Sequence, residues 1–211
     1  MDYLLNSVFG VILNCTTAWQ PMKLKLESAY WSIVSKLGMD VEGINELILG
    51  RALLLRLHLN DIHIEVIGVY APATPDQRVN FYELLGNHLS NLLHNLEFQI
   101  LMGDFNCVEN PLLDRSKRWD SREPGAKEMR AIVSTYGMTD IYRDAHAKKR
   151  FYTFFSKVHK TESRLDRFYV SKNVQTQSAK FGKISTPISD HQVVIVVLKF
   201  SAETTAKGPS Y

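Results

Sequence analysis

The segment from residue 52 to residue 102 constrains the fold most, because it predicts two strands, a helix and a third strand in close succession. The runs ALLLRLHL (52–59) and IHIEVIGVY (62–70) are apolar and compatible with strands, and the Asn-Asp pair between them is typical of a turn. Together they predict a β-hairpin. The run FQILM (98–102) is short, continuous and apolar, as in strands that are covered on both faces.

A long amphipathic helix is predicted between the hairpin and this third strand. Thr74 can cap its start, Pro75 suits the first helical position, and Asp76 suits the positive end of the helix dipole. Apolar side chains then recur every three or four residues and form one buried stripe: Val79, Tyr82, Leu85, Leu89, Leu93 and Leu96. A second helix is predicted over 124–136, ended by Gly137.

The rest of the chain adds mostly strands, at 151–155, 164–170 and 193–199. Strands with helices between them predict a layered α/β or α+β protein with a sheet core. With 211 residues, 45% of them apolar, the chain can form one large domain, which we place at 46–200. Residues 1–45 form a divergent segment with one strand-like run, and 201–211 have the composition of a disordered tail.

Charge is unevenly distributed along the chain. Residues 111–172 contain 15 Lys/Arg and 8 Asp/Glu, whereas the remainder contains 10 and 14. A basic segment is compatible with a polyanionic partner, and equally with a solvated basic face.

The N-terminus does not predict a signal peptide, because Asp2 stands where a basic residue is expected and Asn6 interrupts the apolar run. No segment has the roughly 18 uninterrupted apolar residues of a membrane-spanning helix. We therefore expect a nuclear or cytoplasmic protein without a membrane partner.

Five short motifs place polar residues at or after predicted strand ends: VYAP (69–72), GDFN (103–106), YTFF (152–155), SRLDRF (163–168) and SDH (189–191). Each alone also fits a turn, a packed ring, a surface ion pair or a cap. Together they supply the groups that phosphodiester hydrolysis requires, namely an Asp-His pair to activate water, hard oxygen ligands for magnesium, and donors for phosphate oxygens. The candidate residues are Tyr70, Asp104, Asn106, Asp166, Asp190 and His191.

In this order the motifs resemble the endonuclease/exonuclease/phosphatase superfamily. GDFN and SDH are shared across this superfamily and do not distinguish its members. The run GMTDIYRDAHAKKRFYTFFS (137–156), with SRLDRFYVS and ENPLLDRS, is similar to the apurinic-endonuclease-like endonuclease domain of LINE-type (non-LTR) retrotransposons, over roughly residues 46–200. The resemblance implies a four-layered α/β sandwich of the DNase I/exonuclease III type, incomplete at its N-terminus.

The resemblance also implies a role for each motif residue. His191 is expected to be the general base, and Asp166 the acid that orients it. Asp104 and Asn106 would position the attacking water and the phosphate, and Tyr70 would contact the scissile phosphate. The implied reaction is a nick in DNA that leaves a 3′-hydroxyl.

Asp190 is expected near a bound Mg²⁺ ion, with Mn²⁺ as the alternative. The candidate nucleic-acid contacts are Arg115, Arg118, Arg164 and Arg167. A reverse transcriptase is implied as a partner by the family alone.

The chain departs from the family before VYAP. Members carry an Asn after the first strand (LNxxG-like) and a metal-binding Glu in a QE motif, and neither is recognisable here. Asn14 in ILNCTTAWQ is not followed by Gln-Glu, and residues 8–13 better fit a later GVAIL-like strand, so the start of the domain is expected to be absent. Glu27, Glu42 and Glu46 are substitutes that no motif distinguishes.

Three hypotheses therefore remain: an active Mg²⁺-dependent endonuclease, an inactive remnant that still binds nucleic acid through its basic segment, and a phosphatase of the same superfamily.

Overall fold

The computed structural model describes residues 7–13, 40–59, 62–92, 98–117, 123–172, 174–185 and 189–200. The strands are β1 Ser7–Leu13, β2 Asp40–Ile48, β3 Ala52–Leu59, β4 Ile62–Tyr70, β5 Phe98–Asp104, β6 Thr139–Asp140, β7 Phe154–Ser156, β8 Thr161–Ser163, β9 Asp166–Val170, β10 Gln175–Ser185 and β11 Gln192–Phe200. The helices are α1 Pro75–Leu92, α2 Pro111–Asp114, α3 Ala126–Thr135 and α4 Ile141–Ala145.

The larger sheet has six strands in the order β2-β3-β4-β5-β9-β6. β3 and β4 pair in antiparallel fashion, which confirms the predicted hairpin. β4 and β5 run parallel, with Tyr70 opposite Asp104, and β9 is antiparallel to β5, with Asp104 opposite Asp166. The ends of β4 and β5 therefore meet the start of β9 at one edge of the sheet, where three of the sequence motifs converge.

A smaller antiparallel sheet, in the order β1-β11-β10, packs on one face of the larger sheet. The core between the sheets combines side chains such as Leu55, Val66, Phe168 and Val196, each no more than 3% exposed. Helices α1 and α3 cover the other face. The described residues thus form three of the four predicted layers.

Helix α1 begins at Pro75, as predicted, and buries Tyr82, Leu85 and Leu89 of the expected stripe. The continuation of that stripe at Leu93 and Leu96 lies outside the described residues. No helix in the described part of the chain is long and apolar enough to cross a membrane.

Several elements differ from the sequence expectation. The strand predicted at 151–155 is β7 Phe154–Ser156, and β2 and β8 were not predicted. The helix predicted from residue 124 begins at Ala126, because Gly125 precedes it with φ 88°, outside the helical region. Strand β10 was not predicted, because QTQSAKFGKIS shows no apolar alternation. It forms a strand by pairing with β11, which supplies the apolar residues.

Gly103 of the GDFN motif is required by the close approach of β5 to β4. Its φ is 141°, and a Cβ built on it would lie 1.9 Å from the carbonyl oxygen of Val69. A side chain here would push the two strands apart just before Asp104. The glycine therefore lets β5 continue in register to the edge of the sheet.

Replacing this glycine with alanine should destabilise the fold severely. We expect Gly103→Ala to lower the free energy of unfolding by at least about 2 kcal/mol, because it combines a backbone clash with a strained φ. Gly43→Ala is the matched control on edge strand β2, since a Cβ there meets nothing within 4 Å. Urea denaturation followed by circular dichroism measures both, and equal midpoints for the two variants would contradict the argument.

Candidate active site

Three ionisable side chains meet at the edge of the larger sheet. Asp104 ends β5 and Asp166 begins β9, directly opposite. His191, just before β11, places Nδ1 2.9 Å from Asp166 Oδ2 and Nε2 3.8 Å from Asp104 Oδ2. The three are only 2%, 2% and 6% exposed. Two buried carboxylates therefore flank one imidazole.

The two flanking carboxylates change where protons bind. Burial, together with the neighbouring charge of Asp166, raises the pKa of Asp104 to about 7. Burial favours the neutral imidazole, but the hydrogen bond and charge of Asp166 outweigh it and raise the pKa of His191 to about 9. At neutral pH the imidazolium form of His191 is therefore favoured, in which both ring nitrogens carry a hydrogen.

His191 is held by the YTFF segment. Phe154 and His191 form a β-bridge, and their rings lie 4.9 Å apart. The carbonyl of Asp190 accepts from the Phe155 amide at 2.9 Å. Asp190 is half-buried beside His191, so the SDH and YTFF motifs, distant in sequence, form one unit.

Thr153 connects this unit to Asp166. It is fully buried, and its Oγ1 accepts from the backbone amides of Leu165 and Asp166, both at 3.0 Å. Its own carbonyl accepts from the amide of Gln192 at 2.7 Å. YTFF was predicted to lie near the site, but no role was predicted for Thr153, because sequence alone does not reveal which amides a threonine hydroxyl will accept from.

Asn106 orients Asp104. Its backbone amide donates to Asp104 Oδ1 at 2.9 Å, and its side-chain Nδ2 donates to Asp104 Oδ2 at 3.1 Å and to the Ala71 carbonyl at 2.8 Å. Asn106 has a φ of 47°, which asparagine adopts more readily than most residues. These bonds connect GDFN to the VYAP loop and use both hydrogens of the side-chain amide.

Arg78, on α1, also stabilises this turn, and its role was not predicted. It is 6% exposed, and its guanidinium donates to the carbonyls of Asn106 and Ala73, the latter at 3.1 Å. An arginine early in an amphipathic helix has no sequence feature that distinguishes it from a solvated surface residue.

Tyr70 lies at the mouth of the site, 40% exposed at the end of β4 and opposite Asp104 in register. The structure thus brings the six predicted motif residues to one edge of the sheet.

Two of the four predicted DNA-contacting arginines are instead buried. Arg164 and Arg167 are 1% and 2% exposed, so their guanidinium groups have no access to a surface ligand. Arg167 Nη2 donates to the Cys107 carbonyl at 2.8 Å, and its guanidinium lies 4.8 Å from the centre of the Phe105 ring. Both arginines therefore have structural contacts in place of the expected nucleic-acid contacts.

The other two arginines differ from each other. Arg115 is 23% exposed in its side chain and pairs with Glu123 at 2.6 Å. Arg118 lies outside the described residues.

Arg164 is the centre of a buried ion-pair network. Its Nε donates to Asp114 Oδ1 at 2.8 Å, and its Nη2 to Asp140 Oδ2 at 2.6 Å. Asp140 also accepts from the first amides of α4, including that of Tyr142 at 3.0 Å. Arg143 also pairs with Asp114. The three motifs that resemble LINE-type endonucleases, ENPLLDRS, GMTDIYRD and SRLDRF, all contribute members of this network. Arg164, the central member of the network, lies two residues before Asp166.

Breaking this network should cost more than a typical surface substitution. Arg164→Met keeps much of the side-chain volume but removes the buried cation from Asp140 and leaves Asp114 with Arg143 as its remaining ion-pair partner. We therefore expect the free energy of unfolding to fall by about 3–5 kcal/mol. Arg130→Met, on the exposed face of α3, is the matched control and should stay within about 0.5 kcal/mol of wild type. Chemical denaturation measures both changes, and a loss for Arg164→Met no larger than the control would refute this role.

The raised pKa of His191 should make stability depend on pH. The folded protein holds the His191 proton more tightly than the unfolded chain, so this stabilisation is full below pH 6.5 and is lost as the pH rises through about 9. The free energy of unfolding should therefore fall over this interval, by up to about 1.4 kcal/mol per pH unit, and His191→Asn should flatten the slope.

The measurement is urea denaturation between pH 6 and pH 10 in EDTA. His88→Asn, on α1, provides the matched control and should keep the wild-type slope. A His191→Asn slope identical to that of wild type would exclude the proposed protonation.

The described residues do not by themselves form a metal site. Among them, no three His, Cys, Asp or Glu side chains are arranged to hold an ion. Asp166 Oδ1 is buried without a hydrogen-bond partner, which leaves one candidate ligand atom. Carboxylates suit Mg²⁺, but it needs several oxygen ligands. A complete set is therefore not present in the described part of the chain.

The glutamates considered as substitutes do not complete the set either. Glu42 pairs with His63 at 3.1 Å, at the end of the sheet roughly 20 Å from Tyr70 by strand rise. Glu46 accepts from the Gly50 amide at 2.7 Å and is two strands away from β4. Glu27 lies outside the described residues.

Solved structures of nucleic-acid enzymes share this architecture. The catalytic domain of Xenopus laevis APE2 superposes with a TM-score of 0.57 at 23% identity, covering 74% of this chain and 58% of that chain. A 3′-5′ exonuclease from Neisseria meningitidis superposes with a TM-score of 0.60 at 16% identity, covering 74% of this chain and 70% of that chain. An AP endonuclease from Archaeoglobus fulgidus superposes with a TM-score of 0.59 at 18% identity, covering 75% of this chain and 71% of that chain. The fold is thus the α/β sandwich of the DNase I/exonuclease III type.

A curated relative and a family match complete the comparison. The Transposon TX1 uncharacterized 149 kDa protein of Xenopus laevis is 28% identical over 159 residues, which are 74% of this chain. The chain spans 12% of that protein's length. Residues 18–191 match the Endonuclease/Exonuclease/phosphatase family, a stretch that begins upstream of the boundary expected at residue 46. This match covers most of the chain, which therefore belongs to the endonuclease/exonuclease/phosphatase family.

Proposed function

We propose that this protein hydrolyses phosphodiester bonds of DNA and nicks a strand to leave a 3′-hydroxyl. The observation that carries the proposal is the position of His191 between two buried carboxylates, 2.9 Å from Asp166 and 3.8 Å from Asp104, at the edge where Tyr70 is exposed. Membership of a nuclease-containing family and the transposon relative support DNA as the substrate.

The reaction needs a base for water and a donor for the phosphate. Water attacks phosphorus, the bond from phosphorus to the 3′ oxygen breaks, and that oxygen takes up a proton. A carboxylate whose pKa is about 7, as for Asp104, is matched to accepting a proton from water near neutral pH. His191, whose pKa is about 9, can instead donate from Nε2 to a phosphoryl oxygen.

This assignment revises the role expected for His191, which was that of general base. Asp166 keeps the role of orienting the imidazole, because it receives the Nδ1 hydrogen bond. Asn106 fixes the carboxylate of Asp104, and the Tyr70 hydroxyl can donate to a second phosphate oxygen.

Mg²⁺ dependence is part of the proposal, with Mn²⁺ as the alternative ion, because the superfamily is generally dependent on divalent metals. When bound, such an ion would offset negative charge on the phosphoryl oxygens. No step above is assigned to it, since the described residues do not complete its ligand set. Asp190 remains the residue that we propose near the ion.

Supercoiled plasmid provides the direct test of nicking. With Mg²⁺ present, wild-type protein should convert it to the relaxed form, and EDTA should abolish the conversion. His191→Ala and Asp104→Asn should each slow nicking by about 10²–10⁴-fold, because each removes a proton-transfer group. His88→Ala is the control for a histidine change away from the site. Wild-type protein that nicks no faster than His191→Ala would overturn the proposal.

The same preparation distinguishes the two other hypotheses. Duplex DNA affinity that falls steeply with added salt, without nicking, would indicate a remnant that binds but does not cut. Release of phosphate from an inositol phosphate, with intact plasmid, would indicate a phosphatase.

A further inference from the structure

Arg51 lies beside the exposed tyrosine of the proposed site. It follows Gly50 in the turn between β2 and β3, where Gly50 adopts a φ of 64°. The backbone carbonyl of Arg51 accepts from the Tyr70 amide at 2.8 Å, so the two residues are cross-strand neighbours. The turn thus fixes Arg51 directly alongside the end of β4.

The Arg51 side chain is directed at Tyr70. Its guanidinium carbon lies 5.0 Å from the centre of the Tyr70 ring, and its Nη1 donates to the Tyr70 carbonyl at 3.4 Å. Among the described residues Arg51 forms no ion pair. By contrast, Arg56 on β3 binds the buried carboxylate of Glu65 at 3.0 Å, so its charge has a structural partner.

We propose that Arg51 is a positioning residue that holds the Tyr70 ring at the mouth of the site. A guanidinium over a ring face is attracted by the ring quadrupole, and its planar shape limits how the ring can turn. Tyr70 is 40% exposed, so part of its ring is accessible at the mouth of the site.

This inference rests on the proposed nuclease function only for its catalytic consequence, so its first test does not require activity. In ¹³C/¹⁵N-labelled protein, three-bond couplings report the χ1 rotamers of Tyr70, assigned by loss of its signals in Tyr70→Phe. We expect one dominant rotamer in wild type, averaged couplings in Arg51→Gln, and largely retained order in Arg51→Lys. Arg130→Gln, the same charge change on the exposed face of α3, should leave the couplings unchanged. Unaveraged couplings in Arg51→Gln would overturn the proposal.

The second test is a double-mutant cycle on nicking. Arg51→Gln should lower kcat/KM by about two- to fivefold, as expected for an exposed cation–ring contact, and Arg51→Lys should restore much of it. In a Tyr70→Ala background the Arg51→Gln change should have almost no further effect, within about 1.5-fold, because the ring it positions is absent. Equal losses in both backgrounds would show that Arg51 acts independently of Tyr70 and would contradict the proposal.

Failure of the proposed nuclease function and failure of the positioning role of Arg51 give different results. If the wild-type protein does not nick DNA at all, the proposed function fails while the rotamer comparison still decides whether Arg51 holds Tyr70. If nicking is robust but the cycle is additive, the function stands and the positioning role does not.

Discussion

The site depends on one buried cation, the guanidinium of Arg164. Taking such a charge out of water costs several kcal/mol, and well-placed carboxylates can offset that cost. Asp114 and Asp140 supply them from two segments far apart in the sequence. The Arg164 amide also donates to the Asp114 carbonyl at 2.9 Å, so side chain and backbone both fix this position. Because Asp166 follows two residues later, the network determines where β9 begins and where its first carboxylate points.

A second electrostatic feature concerns the protons in the site. Asp104, Asp166 and His191 are all nearly inaccessible to water, yet they carry two acids and one base. Close carboxylates repel when both are ionised, and a protonated imidazole between them relieves that repulsion. Holding the proton on His191 therefore stabilises the arrangement of the three side chains. The two carboxylates therefore set the protonation state of His191 by raising its pKa.

Much of the fold could be predicted from the sequence because its signals are local. The β3–β4 hairpin and α1 follow from apolar periodicity and turn residues, and all six motif residues lie at the predicted edge of the sheet. The burial of Arg164 and Arg167 could not be predicted, because arginine is normally solvated and its partners here are brought together only by the fold. The role of Arg78 could not be predicted either, because its acceptors are backbone carbonyls, which every residue possesses.

The order of strands in the larger sheet has a consequence for how the molecule folds. β4 meets β5 only after the α1 crossover, and β5 meets β9 across more than sixty intervening residues. Contacts of such wide separation form late, because the chain must first lose the entropy of closing long loops. His191 directly precedes β11, so it reaches Asp104 and Asp166 only when β11 is in place. A chain still emerging from the ribosome therefore lacks the complete cluster of Asp104, Asp166 and His191 until β11 is made.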